Sequence, residues 1–192
     1  MSLFEELQQE ILLCSRYGED EDLLNMLLSN PSLDVNYRDS NNGCTGLHYA
    51  AANGEVKCLQ VLKQYNALHL PNNEGSYPCH WAAQNRKADS LHYLLDQYPD
   101  VDVLARNSSG RSTLTDAFAS GDTKVIEICL SHPSASEDRL IDTTDKNAKV
   151  TVDTDEDPYK HAVSHAMRLS ATYDLLGNLY YCYYYCINYF NY

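Results

Sequence analysis

Cys44, His48 and Tyr49 stand within six positions of one another in GCTGLHYAAANGEV (43–56). A thiol, an imidazole and a phenol so close together raise nucleophilic or acid–base chemistry. Cys79 beside His80 raises a thiolate–imidazole pair. Adjacent residues on a helix point about 100° apart, however, and do not face each other. His161 and His165 are four apart, as are Cys182 and Cys186, and either pair could share a metal on one helix face. The histidines lack the intervening Glu of H-E-x-x-H, and no clear third ligand lies nearby. The acidic run Asp153, Asp155, Glu156, Asp157 lacks the Gly and the distal Glu of a calcium loop and reads as a solvated segment. No Gly-rich phosphate loop, nucleophile elbow or paired-carboxylate arrangement is visible. The expectation is therefore a protein with no catalytic residue, no metal and no cofactor.

Composition narrows the class. The chain has 192 residues, 44% of them hydrophobic, which suffices for one domain with a buried core. No run of about 18 apolar residues exists, so no spanning helix and no membrane role are expected. The start, MSLFEELQQEILL, carries Glu5, Glu6 and Glu10 and no base, unlike a secretory signal. Seven cysteines without paired spacing favour reduced thiols, and the cytosol or nucleus is the expected compartment. A net charge of −13 repels phosphate backbones, which argues against nucleic acid and fits a basic protein partner better.

The elements that must position these residues recur. GCTGLHYAAANG (43–54) returns as GSYPCHWAAQNR (75–86) and more weakly as GRSTLTDAFASG (110–121). Gly43, Gly75 and Gly110 each lie eleven residues before Gly54, Arg86 and Gly121. Five residues further come Leu59, Leu91 and Ile126, and eight further Leu62, Leu94 and Cys129, a spacing that shares one helix face. Gly18 begins the same pattern with Leu23 and Met26. The steps from Gly18 to Gly54, Arg86 and Gly121 are 36, 32 and 35 residues, which indicates stacked units with loop insertions. Each unit reads as a short Ala-rich helix, a turn, a longer amphipathic helix and a polar loop. Cys79 falls in the register of Leu47 and Leu114 and is expected in the core.

These residues resemble ankyrin repeats, whose unit of about 33 residues centres on T-P-L-H-x-A. TGLHYA (45–50) departs at Gly46, YPCHWA (77–82) keeps Pro, His and Ala, and STLTDA (112–117) loses the His. The likeness covers about 3–133, in units of about 3–38, 39–71, 72–106 and 107–133. It implies an all-α solenoid of stacked helix–turn–helix units with hairpin-like loops. It also implies a structural role for His48 and His80 as ties between neighbouring units, and a protein partner at the loop tips and the concave face of the short helices. The tips are then Asn41, Asn42, Cys44, Asn73, Glu74, Ser76, Ser108, Ser109 and Arg111. The short-helix positions are Tyr49, Ala52, Asn53, Trp81, Gln84, Asn85, Asp116 and Ser120. Among these, Tyr49 and Trp81 occupy equivalent positions, either as an exposed aromatic pair that anchors a partner or as packing against the adjoining helix.

The first unit is atypical. Ser2 with Glu5 fits a capping box, and Phe4, Leu7, Ile11 and Cys14 form an inward stripe. The last unit should expose a flank unless the tail covers it. Residues 134–158 read as an acidic disordered linker. Residues 159–192 read as a weakly ordered tail of uncertain structure, in which 158–176 fit a short helix or a strand, the alternation over 161–169 suiting the strand, and the end, 179–192, is Tyr-rich without a polar face. That end reads equally as a misread terminus replacing a longer one. The expected function is a non-enzymatic protein-binding adaptor, monomeric. The alternative is the substrate-recruiting arm of a larger enzyme truncated here, such as a methyltransferase.

Overall fold

A computed structural model describes residues 3–135, which form an all-α stack. Four helix–turn–helix pairs follow in order: α1 (Leu3–Tyr17) with α2 (Asp20–Ser29), α3 (Gly46–Asn53) with α4 (Val56–Gln64), α5 (Pro78–Gln84) with α6 (Ala88–Gln97), and α7 (Thr113–Ser120) with α8 (Thr123–Ser131). The odd-numbered helices pack as an inner row and the even-numbered ones as an outer row. A short 3-10 turn, Pro133–Ala135, closes the described chain. No strand is present among the described residues; an isolated antiparallel bridge joins Arg106 to Ser112.

Local chemistry explains where the helices start. The N–H of Thr45 donates to His48 Nδ1 at 3.1 Å, and that of Tyr77 to His80 Nδ1 at 3.2 Å. In the fourth unit Thr115 Oγ1 takes the His place and accepts from Ser112 N–H at 2.7 Å, while Ser112 Oγ accepts from Thr115 N–H at 3.2 Å. Each satisfies an N–H that the first helical turn leaves unpaired. The inner helices α3, α5 and α7 are each followed by a left-handed residue. Gly54 (φ 90°) and Gly121 (φ 71°) take that geometry freely, whereas Arg86 (φ 60°) takes it against its Cβ.

Inner helices approach closely because their facing residues are small. Ala50, Ala51, Ala82, Ala83 and Ala117 are fully buried. Gly46, at the usual Pro position, shows the limit within an inner helix: a Cβ there would lie 2.7 Å from Ser15 Oγ and 3.3 Å from the Leu62 methyls. The outer helices bury Leu23, Leu59, Leu91 and Val125 completely, and one continuous core runs through all four units. Each fully buried Leu stabilises by about 2 kcal/mol, so stability comes from stacking and not from any unit alone.

Two features of the first unit depart from the sequence reading. Phe4 is 49% exposed, so the inward stripe begins at Leu7; α1 lies at the end of the row, with no earlier helix for Phe4 to pack on among the described residues. The proposed cap at Ser2 lies outside the described residues. Ser134 and Ala135, placed in the linker, are instead held against the third unit's loop, where Ser134 Oγ accepts from Val103 N–H at 3.0 Å. At the far end Phe118 stands where the earlier units have Ala51 and Ala83, and with Ile128 and Leu130 it stays only partly buried. The rest of the linker and the tail, with His161, His165, Cys182 and Cys186, lie outside the described residues.

Candidate functional site

Three loops project beside the inner helices, and each is built on one side chain. Asp39 Oδ1 accepts from the N–H groups of Asn41 and Asn42, and its Oδ2 from Cys44 N–H at 2.8 Å. Asn72 Oδ1 accepts from Glu74 and Ser76, and Asn107 Oδ1 from Ser109 and Arg111. These side chains replace backbone turns and fix the tips. The tips are then joined to each other. Asn73 N–H donates to Asn42 O, and Ser108 N–H to Glu74 O, both at 2.9 Å. Backbone polarity is thus used within the loops, and the side chains of Asn41, Asn42, Asn73, Glu74, Ser108 and Ser109 remain exposed.

Cys44 and Ser76 leave the tip set. Both are buried, because the Asp39 and Asn72 turns pull their backbones inward. Asn72 Nδ2 points at Cys44 Sγ (3.6 Å), and burial pushes that thiol up to about 11. All five described cysteines are buried, and burial raises each, so none is a reactive thiolate. Cys79 sits in the core, with Thr113 Oγ1 at 3.1 Å. Glu10, Cys14 and Glu19 form the one described group with metal-ligand atoms within 4.8 Å of one another. Burial first, then these carboxylates, push the Cys14 thiol up to about 12, and its hydrogen bond goes to Glu19.

His48 and His80 are also buried. Because Nδ1 of each accepts from its own helix start, Nε2 carries the proton. His48 Nε2 donates to Ser76 O at 2.9 Å and His80 Nε2 to Arg111 O at 3.3 Å, each in the following loop. Burial lowers both to about 4, so both are neutral near pH 7.

The concave row itself comes from one register. Leu13, Tyr49, Trp81 and Asp116 occupy equivalent places on the four inner helices. Tyr49 and Trp81 are half-buried and meet edge to face, centroids 6.1 Å apart at 83°. Trp81 also packs edge-on against His48 at 5.7 Å. The Arg16 guanidinium lies 5.1 Å above the Tyr49 ring, and Tyr49 OH donates to Asp39 Oδ2 at 3.2 Å. Asn53 and Asn85 are exposed, each with its amide folded onto its own helix, donating to Tyr49 O and Trp81 O. Gln84 is exposed beside them.

Asp116 corrects the sequence expectation of a contact residue. It is 3% exposed and forms an ion pair with half-buried Arg111, so its carboxylate faces inward. Burial raises it to about 6 against the pull of Arg111. Leu13, by contrast, is 42% exposed and was missed. Counting five residues back from Gly18, as Tyr49 lies five before Gly54, would have found it.

The comparisons with known proteins agree with this architecture. A family model for ankyrin repeats, three copies, matches residues 11–107. The chain belongs to the ankyrin-repeat family. It is 28% identical over 108 residues to Inversin of Homo sapiens, which covers 54% of this chain and 10% of that protein. It is 35% identical over 77 residues to Tyrosine-protein kinase HTK16 of Hydra vulgaris, covering 40% of this chain and 10% of the kinase. It is 29% identical over 94 residues to Transient receptor potential cation channel subfamily A member 1 of Homo sapiens, covering 48% of this chain and 8% of the channel. The chain thus spans about a tenth of the length of these relatives. Ankyrin repeats are generally protein–protein interaction modules, and such domains are typically non-catalytic. No described helix is long and apolar enough to cross a membrane.

Proposed function

We propose that this chain is a non-enzymatic adaptor that holds a protein partner across the concave row and the loop tips. The observation that carries this is the Tyr49–Trp81 pair. Two aromatic rings at one register of adjacent units lock each other edge to face while remaining half exposed. Rings already held in place lose little freedom on binding, and such anchors dominate interface energy. Asn53, Gln84 and Asn85 extend the contact along the helix ends, and Asn73 and Glu74 along the tips. Arg111, tied to Asp116, frames the fourth-unit end. The reading places the chain, as a monomer, in the cytosol or nucleus. No described residue favours the arm of a methyltransferase or other enzyme.

A photo-crosslinking residue at Gln84 should capture the partner in cells, and one at outward-facing His92 should not. Trp81→Ala should weaken capture by about 2 kcal/mol or more while the melting temperature holds. Equal capture from both faces, or a Trp81→Ala chain that simply unfolds, would sink the assignment.

A further inference from the structure

We infer that the groove between α1 and the first loop takes a peptide segment that is apolar and acidic, with a large apolar side chain in the groove and a carboxylate on Arg16. This rests on the concave-face reading above and specifies the partner's chemistry there. The groove has a volume of about 250 Å³ and is walled by Leu12, Leu13, Tyr37 and Tyr49, with Arg16 and Asn41 at its rim. Its size suits one large aliphatic or aromatic side chain. Leu13 stands in the register of Tyr49 and Trp81, and Leu13 and Tyr49 both line the groove.

The charges decide the rest. Asp39 is the sole carboxylate among the lining residues. Both of its oxygens are committed, Oδ1 to the N–H groups of Asn41 and Asn42, Oδ2 to Cys44 N–H and Tyr49 OH. Burial works against its charge, yet those donors hold it below the ordinary carboxylate range. An incoming ammonium would find no lone pair free without breaking the loop. Arg16 is exposed, forms no ion pair among the described residues, and rests with its guanidinium 5.1 Å from the centroid of the Tyr49 ring. A carboxylate laid against a guanidinium held by a ring makes a charge-assisted pair. The chain's net charge of −13 points to a basic partner, but those carboxylates gather elsewhere, as at Asp20, Glu21 and Asp22 on α2. The groove's lining carries one cation and one carboxylate, and since the carboxylate's acceptors are filled, Arg16 is the charged group left to meet a ligand.

The test is selection of a random-peptide display library on the immobilised full chain, followed by anisotropy titration of the enriched peptides. The expected peptides place Asp or Glu beside Leu, Met or an aromatic residue. Arg16→Gln should raise their Kd about tenfold at an unchanged melting temperature, and Glu→Gln in the peptide should do the same. Enrichment of Lys or Arg, no enrichment, or a Kd indifferent to Arg16→Gln overturns the inference. If Trp81→Ala weakens a peptide that Arg16→Gln leaves alone, the groove assignment falls and the concave face stands. If neither variant matters, both fall.

Discussion

The two buried histidines should make the stack sensitive to mild acid. Each donates Nε2–H to a loop carbonyl and accepts at Nδ1, so a second proton has no place without breaking the helix-start bond. Both stand at about 4 in the fold against an ordinary 6.5. A group depressed by folding stabilises above its unfolded value and loses that contribution as pH falls towards its folded one. Between pH 7 and pH 5 each histidine therefore removes about 2 kcal/mol. Asp116 runs the other way. Its folded value of about 6 lies above the ordinary carboxylate, so its cost at neutral pH is relieved on acidification by about 1 kcal/mol. His69, lowered to about 3 by burial, adds to the loss. With about 2 kcal/mol lost at each of the three histidines and about 1 kcal/mol returned by Asp116, the net loss is about 5 kcal/mol, as large as the whole stability of a marginal domain. Urea unfolding followed by far-UV circular dichroism at pH 7, 6 and 5 measures it. His48→Gln, which cannot titrate, should start less stable and lose about 2 kcal/mol less over that range. An unfolding midpoint constant across the range, or a His48→Gln chain with the full wild-type slope, refutes the reasoning.

Two further substitutions test the backbone. Arg86→Gly removes a Cβ from a left-handed residue at the end of α5 and should raise stability by about 0.5–1 kcal/mol in the same urea assay. Gly46→Ala gains helix propensity but drives a methyl into Ser15 Oγ, itself bonded to Ile11 O at 2.6 Å; a net loss of about 1–2 kcal/mol is expected, partly recovered by adding Ser15→Gly.

What was legible in the sequence followed spacing. The glycines and Arg86 marked the turns, the leucines five and eight residues on marked the outer-helix core, and the register of Tyr49 and Trp81 put two aromatic rings together. What was not legible depended on a partner close in space. Cys44 sits at a tip by counting, yet Asp39 draws its amide inward. Asp116 shares the aromatic register, but Arg111, five residues earlier, turns it into a buried pair. Leu13 lacked the two-ended frame of the later units, because α1 is longer than the other inner helices and only the closing Gly18 marks its register. Phe4 satisfied the helical period, but a period says which face a residue takes and not whether a neighbour covers that face.

The bonds from Asn42 to Asn73 and from Glu74 to Ser108 run between main-chain atoms. Main chain is common to every residue except proline, so the strip of tips keeps its shape whatever side chains it carries. Recognition and folding are thereby written in separate alphabets. Asn41, Asn73, Glu74 and Ser108 can be exchanged to suit a new partner while Asp39, Asn72 and Asn107 hold the frame, and a change of specificity along this edge requires no refolding.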